Sequence, residues 1–450
     1  MLLGRLLCVL GMLCVVAGIA GAEQTSEGVE AAWDRIWEHR ISPLRIQAVD
    51  GAGNPIAGAD VRAAMTQHEF RFGTAVNAWF FVQLDEEHPY RKRLRELFNH
   101  AVLENAHKWK YWERDSEAAD YTVAWLQAHG FTIRGHTMLW QTFRYGVPMP
   151  EDVEEALRAN DVAGRELVRE RVIGHIEAIG SAYQGVIDKW EVVNEVTTEH
   201  EVTAVLRPDT LPQEAPELLE WFEAARRAAP DATLYVNDFD ILPGEDEEHR
   251  AAYERLIEFL LANGAPLGGI GVQSHFYHSD LQRTPEEYWE TLERFARFGL
   301  PLSITEFDMF GYNWGDSQET REYRQANAFR EFLITAFSHP AVTGFTIWGF
   351  WDGLHWADEA PLFREDWTPK PALDVYETLV FDSWWTDETG ATDAAGQFEV
   401  WGFHGDYEVT IERDGFESER VEVVLPQGGA EIAVELRYRG PILVPSQSGE

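Results

Sequence analysis

The chain has 450 residues, 45% of them hydrophobic, enough for one large core or a barrel with a small added domain. Its formal net charge is −40, and only five of its 37 basic residues are Lys. Nucleic-acid affinity rests on clustered positive charge, so that partner is excluded. The acidic balance reads as a solubilising surface, with a saline habitat as the sharper alternative. The 18 Trp, 25 Phe and 14 Tyr fill cores and, where exposed, stack on sugar rings, a weak pointer to carbohydrate.

Residues 1–22 read as a secretory signal: Arg5 gives a positive start, Leu6 to Ile19 is apolar but short for a membrane span, and Ala20-Gly21-Ala22 is a small-residue cleavage site. Both cysteines, Cys8 and Cys14, lie inside it, so the processed chain is expected to hold no disulfide and no Cys-ligated metal. A secreted protein follows, with no membrane contact after cleavage. Residues 23–69 give a lead-in helix around Ala31–Trp37, then an alternating stretch, Leu44–Met65, whose Gly/Asn/Pro turn predicts a β-hairpin.

From Phe70 a strand, loop, helix pattern repeats eight times. The strands are Phe70–Val76, Ala101–Leu103, Thr132–His136, Ile187–Val193, Thr233–Asn237, Ile270–Gln273, Leu302–Thr305 and Gly344–Trp348. Amphipathic stretches such as Glu151–Gly180, Pro216–Ala229, Asp246–Asn263, Pro285–Phe298 and Ser317–Ser338 lie between strands. Eight such units over residues 70–380 predict an α/β fold, a (β/α)8 barrel. A doubly wound open sheet lacks support, because no Gly-rich phosphate loop follows the first strand. Residues 381–439 turn to alternating short strands, an appended all-β module, and 440–450 read as a flexible tail.

The strand ends carry the chemistry. DKWEVVNEV ends in Asn194 and Glu195, and LPLSITEFD brings Glu306 and Asp308. Strand two supplies Glu104, Asn105 and Lys108, strand three His136, Trp140 and Gln141, and strand five Asn237 and Asp238. Strand six supplies Gln273 and His275, and strand eight Trp348, Trp351 and, further on, Trp356. In a parallel barrel these ends form the reactive face. Two carboxylates among amides, imidazoles and indoles describe a site for a neutral, polyhydroxylated ligand, and acids on strands four and seven can straddle a glycosidic bond. No HExxH or comparable ligand spacing occurs, so neither metal nor cofactor is expected.

The segments FRFGTAVN, LENAHKWK, RGHTMLW, WEVVNEV, LYVNDFD, GVQSHFY, ITEFD and PLFREDWTPKPA resemble, in order and spacing, those of glycoside hydrolase family 10, the endo-β-1,4-xylanases. The resemblance implies a (β/α)8 barrel and a retaining double displacement on xylan, and a monomer is expected. It assigns Glu195 as acid/base and Glu306 as nucleophile. Asn194, His136, Gln273 and His275 then line the cleaved sugar's subsite, with Asp308 orienting His275. Glu104, Asn105 and Lys108 hold the next xylose, and Trp140, Trp348 and Trp356 form walls. The chain departs from the family pattern at Glu191, usually Asp, at Gln141, usually His, and in the bulk of Phe350 and Trp351. Outside the barrel, Trp384, Trp385 and Trp401 are read as packing residues.

Overall fold

The computed structural model describes residues 26–439 apart from 145–148, 243, 245, 278–282, 311–315 and 358, with side chains from residue 30 onward. The signal segment and the tail expected from sequence lie outside the described residues. Strands β1 (Ile41–Val49) and β2 (Asp60–His68) come first. Then follow β3 (Arg71–Val76), β4 (His100–Leu103), β5 (Thr132–Gly135), β6 (Leu139–Trp140) and β7 (Lys189–Asn194). Next are β8 (Thr233–Asp238), β9 (Gly269–Val272), β10 (His275–Tyr277), β11 (Leu302–Phe310) and β12 (Val342–Ile347). The chain finishes with β13 (Asp387–Ala391), β14 (Gln397–Phe403), β15 (Gly405–Glu412), β16 (Glu419–Leu425) and β17 (Ala430–Glu435).

Two compact units result, Arg71–Glu377 and the flanking segments up to Phe70 and from Thr378 onward. In the first, β3, β4, β5, β7, β8, β9, β11 and β12 pair in parallel in that order, and β12 returns to β3. This is the expected closed (β/α)8 barrel. β6 extends the mouth beside β7, and β10 beside β11. Every residue of β7 and of β11 is buried, because helices cover one face and the barrel interior the other. Phe307 of β11 packs its ring 5.3, 5.5 and 4.9 Å from those of Phe329, Phe332 and Phe345, tying strand to helix. Loss of one such buried ring costs about 3–5 kcal/mol.

The single helix predicted over Glu151–Gly180 is two, Glu151–Ala159 and Val162–Ala182. Asn160 adopts a left-handed backbone at φ 49°, ending the first, and Asp161 caps the second by accepting from the Gly164 N–H at 2.7 Å. Among the described residues no helix is long and apolar enough to cross a membrane.

In the second unit the hairpin expected over Leu44–Met65 does not form. β1 lies in the sheet β14-β1-β17, and β2 in the sheet β13-β2-β15-β16. The turn itself exists: Asp50 Oδ1 accepts the N–H groups of Ala52 and Asn54, each at 2.9 Å, and Val49 bridges Pro55. Beyond it Thr392 takes over, donating to the Ile56 carbonyl at 2.7 Å and accepting from Ala59 N–H at 2.9 Å. That anchor carries β2 away from β1. Trp384 is fully buried, as expected of a packing residue. Trp401 packs on one side, stacked on Trp37 with 5.8 Å between ring centres, and is 45% exposed.

Candidate active site

Glu195 follows directly on β7, and Glu306 lies in the middle of β11. Both backbone N–H groups are tied to neighbouring strand ends, Glu195 to the Asn237 carbonyl at 2.9 Å and Glu306 to the Gln273 carbonyl at 2.8 Å. Glu195 has φ +56°, a left-handed conformation costing on the order of 1–3 kcal/mol in a non-glycine residue. Its carbonyl accepts from the N–H groups of Thr198 at 3.1 Å and Glu199 at 2.7 Å, which hold the turn.

The two carboxyls have opposite surroundings. Glu195 Oε1 accepts from Gln273 Nε2 at 2.8 Å and Asn194 Nδ2 at 3.1 Å, and Oε2 from Trp140 Nε1 at 3.0 Å. These donors are neutral, so burial dominates and, with Asp238 and Glu306 nearby, pushes the acid up to about 7. Burial also acts on Glu306, but His136, His275 and Arg134 outweigh it and hold that carboxyl below the usual range. His275 Nε2 lies 3.4 Å from Glu306 Oε2, and His136 Nδ1 lies 3.8 Å from Oε1. Burial opposes the charge on His275, yet Asp308, 2.8 Å from its Nδ1, and Glu306 raise it to about 10. Asp308 Oδ2 in turn accepts from Trp356 Nε1 at 2.7 Å.

A chain of amide contacts links the acids. Gln273 Nε2 donates to Glu195 Oε1 and, at 3.2 Å, to Asn194 Oδ1, while Asn237 Nδ2 donates to Asn194 Oδ1 at 2.9 Å and to Glu306 Oε1 at 2.8 Å. Asn237 is itself set by Thr305, whose hydroxyl donates to Asn237 Oδ1 at 2.7 Å. Every residue in this chain lies in a barrel strand or directly after one, so the barrel's rigidity becomes the site's.

Beneath the acids, Glu191 accepts from Arg134 through one oxygen and faces His136 Nδ1 at 2.7 Å through the other. Arg134 also donates to the Thr305 carbonyl at 2.6 Å. Glu191 thereby spans from a buried guanidinium to an imidazole at the site floor, which gives its longer side chain a use. His136, Glu191 and Glu306 are also a described set whose potential metal-ligand atoms lie within 4.8 Å of one another. The Arg134 cation already occupies Glu191 and opposes a second cation there.

On the adjoining wall Lys108 Nζ donates to Asn105 Oδ1 at 2.8 Å and lies 4.8 Å from the centre of the Trp140 ring. Burial lowers its ammonium, against the pull of Glu306, Glu104, Glu195 and Glu191. Trp348 is buried beside Ala75 and Val102, with its ring 5.1 Å from His136 and 6.4 Å from His275. Trp356 is 53% exposed, an open wall over His275. The thirteen residues to which the resemblance gives roles lie in one neighbourhood, Glu104 through its charge on Lys108. Gln141 faces away from it, its Oε1 accepting from Thr203 N–H at 3.0 Å. Trp351 is sandwiched between Trp367, at 4.5 Å, and Phe80, at 5.8 Å. The sequence reading gave no role to Asn237, Arg134 or Glu191. Asn237 carried a signal, as a strand-end amide; Arg134 and Glu191 lie within strands whose two faces are both buried.

The family model for glycosyl hydrolase family 10 matches residues 61–378. Among curated proteins, the chain is 29% identical over 390 residues to the anti-sigma-I factor RsgI6 of Acetivibrio thermocellus, covering 85% of this chain but 46% of that protein. It is 29% identical over 307 residues to a beta-1,4-xylanase of Dictyoglomus thermophilum, covering 63% of this chain and 82% of that one. Among solved structures, xylanase 10B from Thermotoga petrophila RKU-1 in complex with xylobiose matches with a TM-score of 0.56 and 26% identity, over 69% of this chain and 95% of that one. With the matched region covering the whole barrel and both carboxylates, the chain belongs to glycosyl hydrolase family 10.

Proposed function

We propose that the chain is a secreted, monomeric endo-β-1,4-xylanase that cleaves internal bonds of xylan with retention of configuration. The observation that carries this reading is the pairing of two carboxyls joined through Gln273, Asn194 and Asn237, one held by neutral donors and the other beside His275 and His136. Glu306, ionised beside His275, attacks the anomeric carbon as the protonated Glu195 gives its proton to the leaving oxygen. The glycosyl bond then removes the charge of Glu306. Glu195, now ionised and relieved of the charge of Glu306, takes a proton from water, which attacks the anomeric carbon and frees Glu306. Asn194 holds the sugar's 2-hydroxyl, His136, Gln273 and His275 complete that subsite, and Glu104, Asn105 and Lys108 bind the next xylose. Trp140, Trp348 and Trp356 supply its walls.

Release of reducing ends from xylan by wild type, Glu195→Gln and Glu306→Gln tests the assignment, and proton NMR of the first product reads the stereochemistry. Loss of about 10²-fold or more is expected for each variant, with the β-anomer appearing first in wild type. Undiminished activity in either variant, or an α-anomer first, overturns the reading. The signal-like Met1–Ala22 supports export, and amino-terminal sequencing of exported protein is expected to begin at Glu23. One competing reading is a barrel that binds glycan without cutting it. Saturable xylan binding by wild type with no product would establish that instead.

A further inference from the structure

Trp401 and its surroundings lie outside the residues matched by the family model. Its ring stacks on Trp37 of the helix Ser26–Arg40 with an interplanar angle of 20°, yet 45% of the residue remains open to solvent. An indole with one open face is a large, flat, amphipathic contact surface. Along β14 the outward positions after Trp401 are Glu399 and Gln397, and β1 places Arg45 and Gln47 opposite them. Arg45 Nε pairs with Glu399 at 2.8 Å, with 55% and 45% of the two side chains exposed. At about 3.4 Å per residue these rows extend about 14 Å along the strands. The face therefore offers one indole platform at its end and a line of paired donors and acceptors beyond it.

We propose that this outward face of the β14-β1-β17 sheet is a second polysaccharide site, separate in chemistry from the cleft, which holds a neutral xylan chain. A pyranose ring lays its C–H face on Trp401, and the following sugars present hydroxyls to Arg45, Glu399, Gln47 and Gln397. The mixture of charged donors and acceptors suits hydroxyls, which do both. The net charge of −40 disfavours polyanions and a second copy of the chain, but not an uncharged polymer. A protein interface needs about 800 Å² per partner with an apolar centre, and one stacked ring pair among charges falls short of it. The choice of xylan rests on the function proposed above. Linked to the barrel, the site raises the local concentration of substrate on an insoluble surface.

The test uses the full chain. Retention on water-insoluble xylan is measured in a Glu306→Gln background, with and without Trp401→Ala, Trp401→Phe and Arg45→Ala. Binding is expected to weaken about tenfold in Trp401→Ala, to recover in Trp401→Phe, and to weaken severalfold in Arg45→Ala. Hydrolysis of soluble xylohexaose by Trp401→Ala with Glu306 intact is expected to stay within about twofold of wild type. Equal retention by the Trp401→Ala and parent proteins overturns the proposal. So does retention on cellulose but not on xylan, or a concentration-dependent dimer that Trp401→Ala abolishes while xylan retention persists. If Trp401→Ala fails to fold, Arg45→Ala decides: retention equal to the parent overturns the proposal. If wild type leaves xylohexaose uncut, the function proposed for the barrel fails, while the retention series still reports on the sheet.

Discussion

Asn237 shows how much of the site depends on one neutral amide. Its Nδ2 reaches Glu306, Asn194 and, at 3.3 Å, Glu191, and its Oδ1 takes the Thr305 hydroxyl. A hydrogen bond to a charged group is worth roughly 1.5–3 kcal/mol, so Asn237→Ala is expected to lower kcat/KM about 10- to 10²-fold. Its second signature separates positioning from folding. Without that donor the Glu306 carboxylate is less stabilised, so the acid limb of the kcat/KM profile moves to higher pH, which pH–rate curves on xylohexaose will read. Glu195 governs the other limb. It must carry its proton to release the leaving group, so activity is expected to fall as pH rises through about 7. The same group sets a stability trend. Its carboxyl rises from the ordinary 4.5 to about 7 on folding. Below pH 4.5 it is protonated in both states; between 4.5 and 7 folding loses stability, up to about 3 kcal/mol. Some solvent contact keeps the real figure below that. Glu195→Gln removes the titration, so its thermal midpoint is expected to exceed wild type's at pH 8 and to converge with it at pH 4. A gap that widens on acidification would sink this account. Glu195, Glu306 and their amide and imidazole neighbours were legible because each ends or closely follows an apolar run, where polar residues have no structural reason to gather. Arg134 and Glu191 were not, because a strand buried on both faces gives no sign of which residue points inward.

At the scale of elements, the eight barrel strands were readable for the same reason that β7 and β11 have no exposed residue: an inner parallel sheet needs apolar side chains on both faces. The misread elements are those where local pattern and tertiary contacts disagree. Asn160-Asp161 interrupts two amphipathic runs without breaking their helical period, so the boundary shows only in the left-handed backbone and the cap. Asp161→Ala is therefore expected to destabilise the barrel by about 1 kcal/mol, with activity preserved, as measured by urea unfolding followed through Trp fluorescence. A neutral result would mean that the second helix takes its start from packing and not from the cap. The turn after β1 misleads in the opposite way. Its Asp50 and Gly53 form a genuine turn, but Thr392, more than 300 positions later, decides where β2 goes. No local signal reports a partner that distant.

At the scale of the molecule, 77 acidic residues against 37 basic ones must be held together in one folded state. Locally the cations are well spent: Arg171 joins Asp152 and Glu113, and Arg294 joins Glu247 and Glu254. Such exposed pairs contribute little each, about 0–1 kcal/mol, and they leave a surplus of 40 negative charges (77 − 37) that repel one another at longer range. Salt acts on the two contributions unequally. The screening length shrinks from about 30 Å at 0.01 M to about 8 Å at 0.15 M, which removes long-range repulsion while pairs at 2.5–2.8 Å remain within reach of each other. The thermal midpoint is thus expected to rise by several degrees between 0.01 and 0.2 M NaCl. KCl should give the same curve, because screening depends on ionic strength and not on the identity of the cation. A midpoint that is flat or falls over that range would show that attraction between the paired side chains outweighs the surplus. The acidic surface would then be a source of stability in dilute buffer, and the saline-habitat reading of the composition would lose its physical basis.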